Sequence, residues 1–236
     1  MKGNQVRISL GRCVTSFAVS LVLAGCGGAT TSITGNTTAP SPAVSVDRQA
    51  AGLTCDENGI GDCAVGDTGP AGGVVFYDAG SEKDWGRYLE AAPARWNMGG
   101  ADQTAMWCDN TDLGIDRAVG VGIGSGMANT QAIVAECSSG AAWAAASYNG
   151  GGKEDWFLPS SDELNQLYKQ REIVGGFGSG TYWSSSQNND SSAWYQVFPS
   201  GSQDYRGHKD NVLGIRPVRA FSLGAAMVSG RRRSRC

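Results

Sequence analysis

The stretch "GDTGPAGGVVFY", Gly66 to Tyr77, joins two collagen-type triplets to an apolar run. A collagen triple helix needs glycine at every third position over a long segment, and here the period stops after two triplets. Val74-Val75-Phe76-Tyr77 reads as a short buried strand. The stretch is therefore a glycine turn feeding a strand, which opens a globular domain and not a fibre. Glycine supplies 35 of the 236 residues, twice the usual ~7%. Without a sustained triplet period this means tight turns and long ordered loops.

Upstream, Lys2, Arg7 and Arg12 form a basic region ahead of the apolar run Val14 to Leu23, which closes on Leu23-Ala24-Gly25-Cys26. The run is shorter than the ~20 residues of a spanning helix and has the layout of a signal segment. Small residues before a cysteine are the box of a bacterial lipoprotein precursor. Residues 1–25 are thus expected to be removed and Cys26 to be acylated, anchoring the chain at a membrane. Gly27 stands where an aspartate would favour inner-membrane retention, so the expectation is an outer-membrane or cell-surface protein, lipid-anchored. Residues 26–52, rich in Ser, Thr, Pro and Gly, read as a flexible tether. Residues 53–222 are long enough for one domain with a single core. Residues 223–236, with Arg231, Arg232, Arg233 and Arg235, read as a basic disordered tail.

The net charge of the whole chain is −3. Without the three basic residues of the signal segment, 16 basic groups face 22 acidic ones. A body this acidic lacks the basic face that nucleic acid requires. Besides Cys26, the body carries Cys55, Cys63, Cys108 and Cys137. In an exported chain these are expected as disulfides, and four cysteines allow three connectivities. We expect Cys55–Cys63, closing "CDENGIGDC", and Cys108–Cys137, tying a loop to a helix.

Along the body, "RYLEAAPARWN" starts as a strand and runs into a loop. Asn129 and Thr130 are N-cap candidates for a helix bearing Ile133, Val134 and Cys137 on one face. "GAAWAAASY" continues with helix formers and stops at "NGGG", Asn149 to Gly152. Ser160 and Glu163 form a capping box ahead of Leu164, Leu167 and Tyr168. From Gly176 the pattern turns to strands at 181–187, 192–201 and 212–221, separated by polar loops. Two or three helices followed by a twisted antiparallel sheet make an α+β domain with long glycine-rich loops.

The segments "GDTGPAGGVVFY", "LEAAPARWN", "IGSGMANTQAIVAEC", "GGKEDWFLPSSDELNQLY", "YWSSS", "AWYQVF" and "GIRPVRAF" resemble the C-terminal domain of bacterial collagen-like adhesins, the Lcl C-terminal domain family, over nearly the whole of 63–221. The resemblance implies a C-type-lectin-like fold and adhesion to an extracellular glycan or surface protein, sulfated glycosaminoglycans in some members. This chain departs from those adhesins in lacking collagen repeats, and its acidity argues against a sulfated ligand. The C-terminal half is also similar to the variable lipoproteins of diversity-generating retroelements, whose ligand-facing residues precede a closing Arg-Pro-Val. The matching loops here are "SQNNDSSAW" and "SGSQDYRGHKDN". They make Asn188, Asn189, Asp190, Tyr205, Arg206, His208, Lys209 and Asp210 the expected ligand-binding residues.

For catalysis the chain offers one histidine, His208, and no nucleophile elbow in "YWSSSQ". The formylglycine-generating enzymes have a related fold, but Cys108 and Cys137 are not placed like their reactive pair. We expect no enzyme, no metal and no cofactor. Calcium is not favoured, because "CDENGIGD" lacks the closing glutamate of a calcium loop and the Asn and Asp of the later loops are explained by turn chemistry. The alternative to a binding module is a structural envelope or matrix lipoprotein. Of the seven tryptophans most are expected in the core, with Trp107 and Trp194 the candidates for exposed platforms.

Overall fold

The computed structural model describes Cys55, residues 63–178 and residues 180–224. The expected signal segment, Cys26, the tether and the arginines of the tail lie outside the described residues. In chain order the elements are β1 (Val74–Lys83), β2 (Gly86–Ala91), β3 (Thr104–Ala105), α1 (Gly126–Glu136), α2 (Ala141–Ala146), α3 (Ser161–Lys169), α4 (Arg171–Val174), β4 (Thr181–Asn189), β5 (Ser192–Val197), β6 (Gln203–His208), β7 (Leu213–Gly214) and β8 (Val218–Phe221). A three-stranded sheet runs β1-β2-β8 and a five-stranded sheet runs β3-β7-β4-β5-β6. All pairings are antiparallel except β4 with β7, which meet in parallel at Tyr182 and Gly214. The domain is α+β. No helix among the described residues is long and apolar enough to cross a membrane.

The opening glycine turn is docked on β2 by Glu90. The Glu90 carboxylate, fully buried, accepts the backbone N–H of Ala71 at 3.3 Å and of Gly73 at 3.0 Å. Arg219 Nη1 on β8 donates to it at 3.0 Å. A Cβ on Gly69 would stand 2.4 Å from Glu90 Oε2, and one on Gly73 2.5 Å from the Ala91 carbonyl oxygen. The two glycines are thus required by close approach to β2, which explains the collagen-like look of the stretch without any fibre.

Two main apolar clusters form the core, and adjacent β4 residues enter different ones, Tyr182 one and Trp183 the other. One gathers Phe76, Leu89, Phe157, Leu164, Leu167, Phe198 and Val218; the other Trp107, Ile133, Trp156, Leu158, Trp183 and Ile215. Helix α3 starts as expected: Ser160 Oγ accepts from Glu163 N at 3.4 Å and Glu163 Oε2 accepts from Ser160 N at 2.7 Å. Helix α1 differs from expectation. It starts at Gly126, so Asn129 and Thr130 lie inside it and cap nothing. Their side chains instead reach across space, Asn129 Nδ2 donating to the Gly120 carbonyl at 2.6 Å and Thr130 Oγ1 accepting from Leu158 N at 3.1 Å. The expected strand 212–221 splits into β7 and β8 around Ile215–Pro217, where Pro217 has no N–H for a ladder. Both bridges are present, Cys55–Cys63 and Cys108–Cys137, with Cα separations of 5.4 and 5.6 Å.

Candidate ligand-contact surface

The region expected as the loop "SGSQDYRGHKDN" is mostly strand β6, at the edge of the five-stranded sheet. Polar residues on both of its faces leave its sequence without the apolar–polar alternation of a half-buried strand. Its register with β5 pairs Gly207 with Ala193 and Asp204 with Tyr195. Between these pairs Trp194 stands alone against two residues, Tyr205 and Arg206, which is a β-bulge. The bulge turns both side chains outward. Tyr205 is 47% exposed and its ring lies 5.4 Å from that of the partly exposed Trp194. Ser184 Oγ on β4 holds the Trp194 carbonyl at 3.0 Å.

Arg206 is exposed but already paired. Its Nε lies 2.9 Å from Asp204 Oδ1 and its Nη2 2.5 Å from Asp204 Oδ2. The hydrogen-bonded guanidinium holds the Asp204 carboxyl down at about 2. The surface therefore presents two aromatic rings beside a planar ion pair that carries no net charge, a poor match for a polyanion. Asp204 is not among the residues expected from the sequence, whereas Trp194, expected as a candidate platform, is partly exposed beside Tyr205.

The other expected residues separate into exposed and internal groups. Asn188 and Asn189 end β4 and Asp190 opens the turn to β5, all three at the surface. Asn189 Oδ1 accepts from Ser191 N at 3.0 Å and from Ser192 Oγ at 2.9 Å, while Asn188 Nδ2 donates to Ser192 Oγ at 3.0 Å. One atom of each amide is thus tied into the turn. His208 pairs in register with Ser192, and with Asp210 it lies exposed at the same end of the sheet.

Lys209 departs from expectation. It has no exposed surface, and its ammonium donates to the Leu113 carbonyl at 2.6 Å, Gln187 Oε1 at 2.7 Å and the Asp190 carbonyl at 2.7 Å. The same Nζ sits 4.5 Å from the centre of the Trp107 ring. Burial pulls its pKa down to about 8, against the nearby Asp190 and Asp112. All three protons are used, so Lys209 is an internal tie and not a ligand contact. Trp107 is likewise no platform: it is fully buried, with Nε1 donating to the Ser184 carbonyl at 2.8 Å.

Trp143, expected in the core, is 40% exposed and lines a cleft of about 1020 Å³ together with Trp96 and Tyr148. This cleft lies beside β3 and shares no lining residue with the β5–β6 surface.

The serines of "YWSSS" serve the scaffold. Ser186 Oγ donates to the Gly120 carbonyl at 2.6 Å and accepts from Ser161 N at 2.9 Å. Among the described residues, Cys108, Asp109 and Cys137 come close enough together to hold a cation, but the two sulfurs are bonded to each other. Most of "CDENGIGD" lies outside the described residues.

The family model of the Lcl C-terminal domain matches residues 90–219. The match runs from the glutamate that receives the opening turn to the arginine that pairs with it. The comparison with curated proteins gives no match.

Proposed function

The chain belongs to the Lcl C-terminal domain family, an adhesin-type domain, and from that premise we propose that it is the ligand-binding module of a surface-anchored adhesin. The observation that carries this reading is the bulge on β6, which sets Tyr205 and Arg206 outward against Trp194 on an open sheet edge. Tyrosine and tryptophan give rigid contact area at small entropic cost, and the Arg206–Asp204 pair adds directed hydrogen bonding. The ligand is an extracellular glycan or a surface protein. A C-type-lectin-like fold, attachment through an acylated Cys26, display at the outer membrane or cell surface, and binding without calcium or catalysis complete the proposal.

The test is capture of the full-length chain on an array of glycans that includes heparin, with and without EDTA. Saturable binding that falls at least about tenfold in the Tyr205→Ala, Arg206→Ala double variant, equivalent to ~1.4 kcal/mol, is the expected result, with EDTA making no difference. Capture that is indifferent to both substitutions would remove the β5–β6 surface from the account. Capture lost in EDTA would overturn the calcium-free reading.

A further inference from the structure

We propose that the cleft beside β3 is a second ligand site, independent of the β5–β6 surface, and that it takes an uncharged saccharide. Sixteen residues line this cleft, and none of them carries a charge. Smaller clefts elsewhere each hold ionisable groups: Arg171 and Glu172 in one, Asp155 and Glu163 in another, Asp112 and Asp210 in a third. In an acidic domain with charges spread through it, an open concavity of about 1020 Å³ free of them selects for a neutral occupant.

The lining supplies both halves of saccharide recognition. A pyranose ring offers a face of C–H groups to an aromatic π-system and a rim of hydroxyls to hydrogen-bonding groups. The aromatic half is Trp143, Trp96 and Tyr148, the last two in an edge contact at 5.3 Å. Trp143 is a fixed platform: its indole N–H donates to the Cys137 carbonyl, and Cys137 is bridged to Cys108. The polar half is the amides of Gln103 and Asn149 and the hydroxyls of Ser139 and Ser147, whose side chains hydrogen-bond to nothing among the described residues. Trp96 is nine-tenths buried and its indole N–H also lacks an acceptor, an unpaired donor held in the cleft wall. An aliphatic peptide could meet these groups only through its backbone amides and offers the rings no C–H face rimmed by hydroxyls, whereas a pyranose presents both at once.

Two further observations single out this region. Met98, Met106, Trp143 and Val212 are four of the exposed large apolar side chains of the described domain, and all four line the cleft. Among the described residues, the two non-glycine positions with left-handed backbone, Arg95 at φ 65° and Met98 at φ 59°, bracket Trp96 and Asn97. Strain of this kind persists where the surrounding structure holds a segment in place for use.

The experiment titrates the full-length chain with cellohexaose, chitohexaose, a heparin hexasaccharide and an uncharged aliphatic hexapeptide, reading tryptophan fluorescence. Ser139→Arg places a bulky charge in the cleft from an exposed position, and Trp143→Ala removes the platform. The proposal expects a saturable change with a neutral saccharide, weakened about tenfold or more by either substitution and unaltered by the Tyr205→Ala, Arg206→Ala double variant. Ser139→Arg decides the matter alone if Trp143→Ala does not fold. No saturable change with either neutral saccharide, an affinity unmoved by Ser139→Arg, or preferential binding of the heparin fragment or the peptide would overturn it. Because the double variant reports on β5–β6 separately, failure here leaves the adhesin reading to its own test.

Discussion

Glu163 is wholly buried, with Oε1 accepting from Gly124 N at 2.7 Å and Oε2 from Ser160 N at 2.7 Å. Burial lifts its carboxyl to about 7, while the backbone N–H donors pull the other way. In the unfolded chain the same group titrates near 4.5. Its contribution is whole below that value, where both states are protonated. It shrinks as pH rises towards 7, because the unfolded state sheds its proton first. Urea unfolding should therefore show a domain up to ~3 kcal/mol less stable at pH 8 than at pH 5 on account of this group. Glu163→Gln should flatten that part of the profile and, by turning an NH₂ against a backbone N–H, lower stability at pH 5 by about 1–3 kcal/mol. An unchanged pH profile in the variant would refute the assignment. Lys209→Met should cost about 3 kcal/mol or more, since three acceptors are left unpaired. Asp210→Ala, one position along and exposed, should stay within ~0.5 kcal/mol. That contrast also marks the limit of reading single residues from sequence. "HKDN" looks uniformly polar, and the partners that pull Lys209 inward come from residues 113, 187 and 190. Nothing local announces them.

At the scale of elements, the Cys108–Cys137 bridge connects the segment after β3 to the C-terminal end of α1 across a sequence separation of 29. Replacing both cysteines by serine should lower stability by about 3–4 kcal/mol in the chain-entropy account, read as a shift of the denaturation midpoint. It should also loosen Trp143, whose indole is tied to Cys137. A midpoint unmoved by the double substitution would show the bridge to be dispensable. Elements whose signals are local were legible: the capping box of α3, the strand after the glycine turn, and the stop at Asn149 to Gly152. Those defined by distant pairing were not. β3 and β7 are two residues each and exist because Thr104 faces Gly214 and Ala105 faces Leu213. β6 has an exposed edge and polar side chains on both faces, so its sequence resembles a loop. The bulge that makes the candidate surface follows from the β5–β6 register, which no single segment encodes.

Across the whole molecule, the Arg-Pro-Val stretch that looked like a family signature works as a clasp. Arg216 is fully buried and donates to Asp102 through Nε at 3.0 Å and Nη2 at 2.8 Å, and to the Ala92 and Gly175 carbonyls at 3.2 Å each. Tyr182 OH donates to the same carboxylate at 2.9 Å, and Phe177 lies under the guanidinium at 4.1 Å. One side chain thus joins the end of β2, the segment before β3, the end of α4 and β4. Lysine cannot reproduce the planar fork, so Arg216→Lys should cost about 3–5 kcal/mol, measured by urea denaturation; a smaller loss than ~1 kcal/mol would mean the clasp is not structural. The overall class, α+β with an antiparallel C-terminal half, was readable because helix caps and strand patterning are local. The clasp was not, because Arg216 meets Asp102 and the Ala92 carbonyl across more than a hundred residues. The central claim, a contact surface at the β5–β6 bulge, is tested most directly by nuclear magnetic resonance on the ¹⁵N-labelled chain, titrated with the ligand that the array captures. The account predicts shifts in the Trp194 indole and in the amides of residues 203–208, with the buried Trp107 indole unmoved. Shifts that leave Trp194 and β6 untouched while the ligand binds would contradict it.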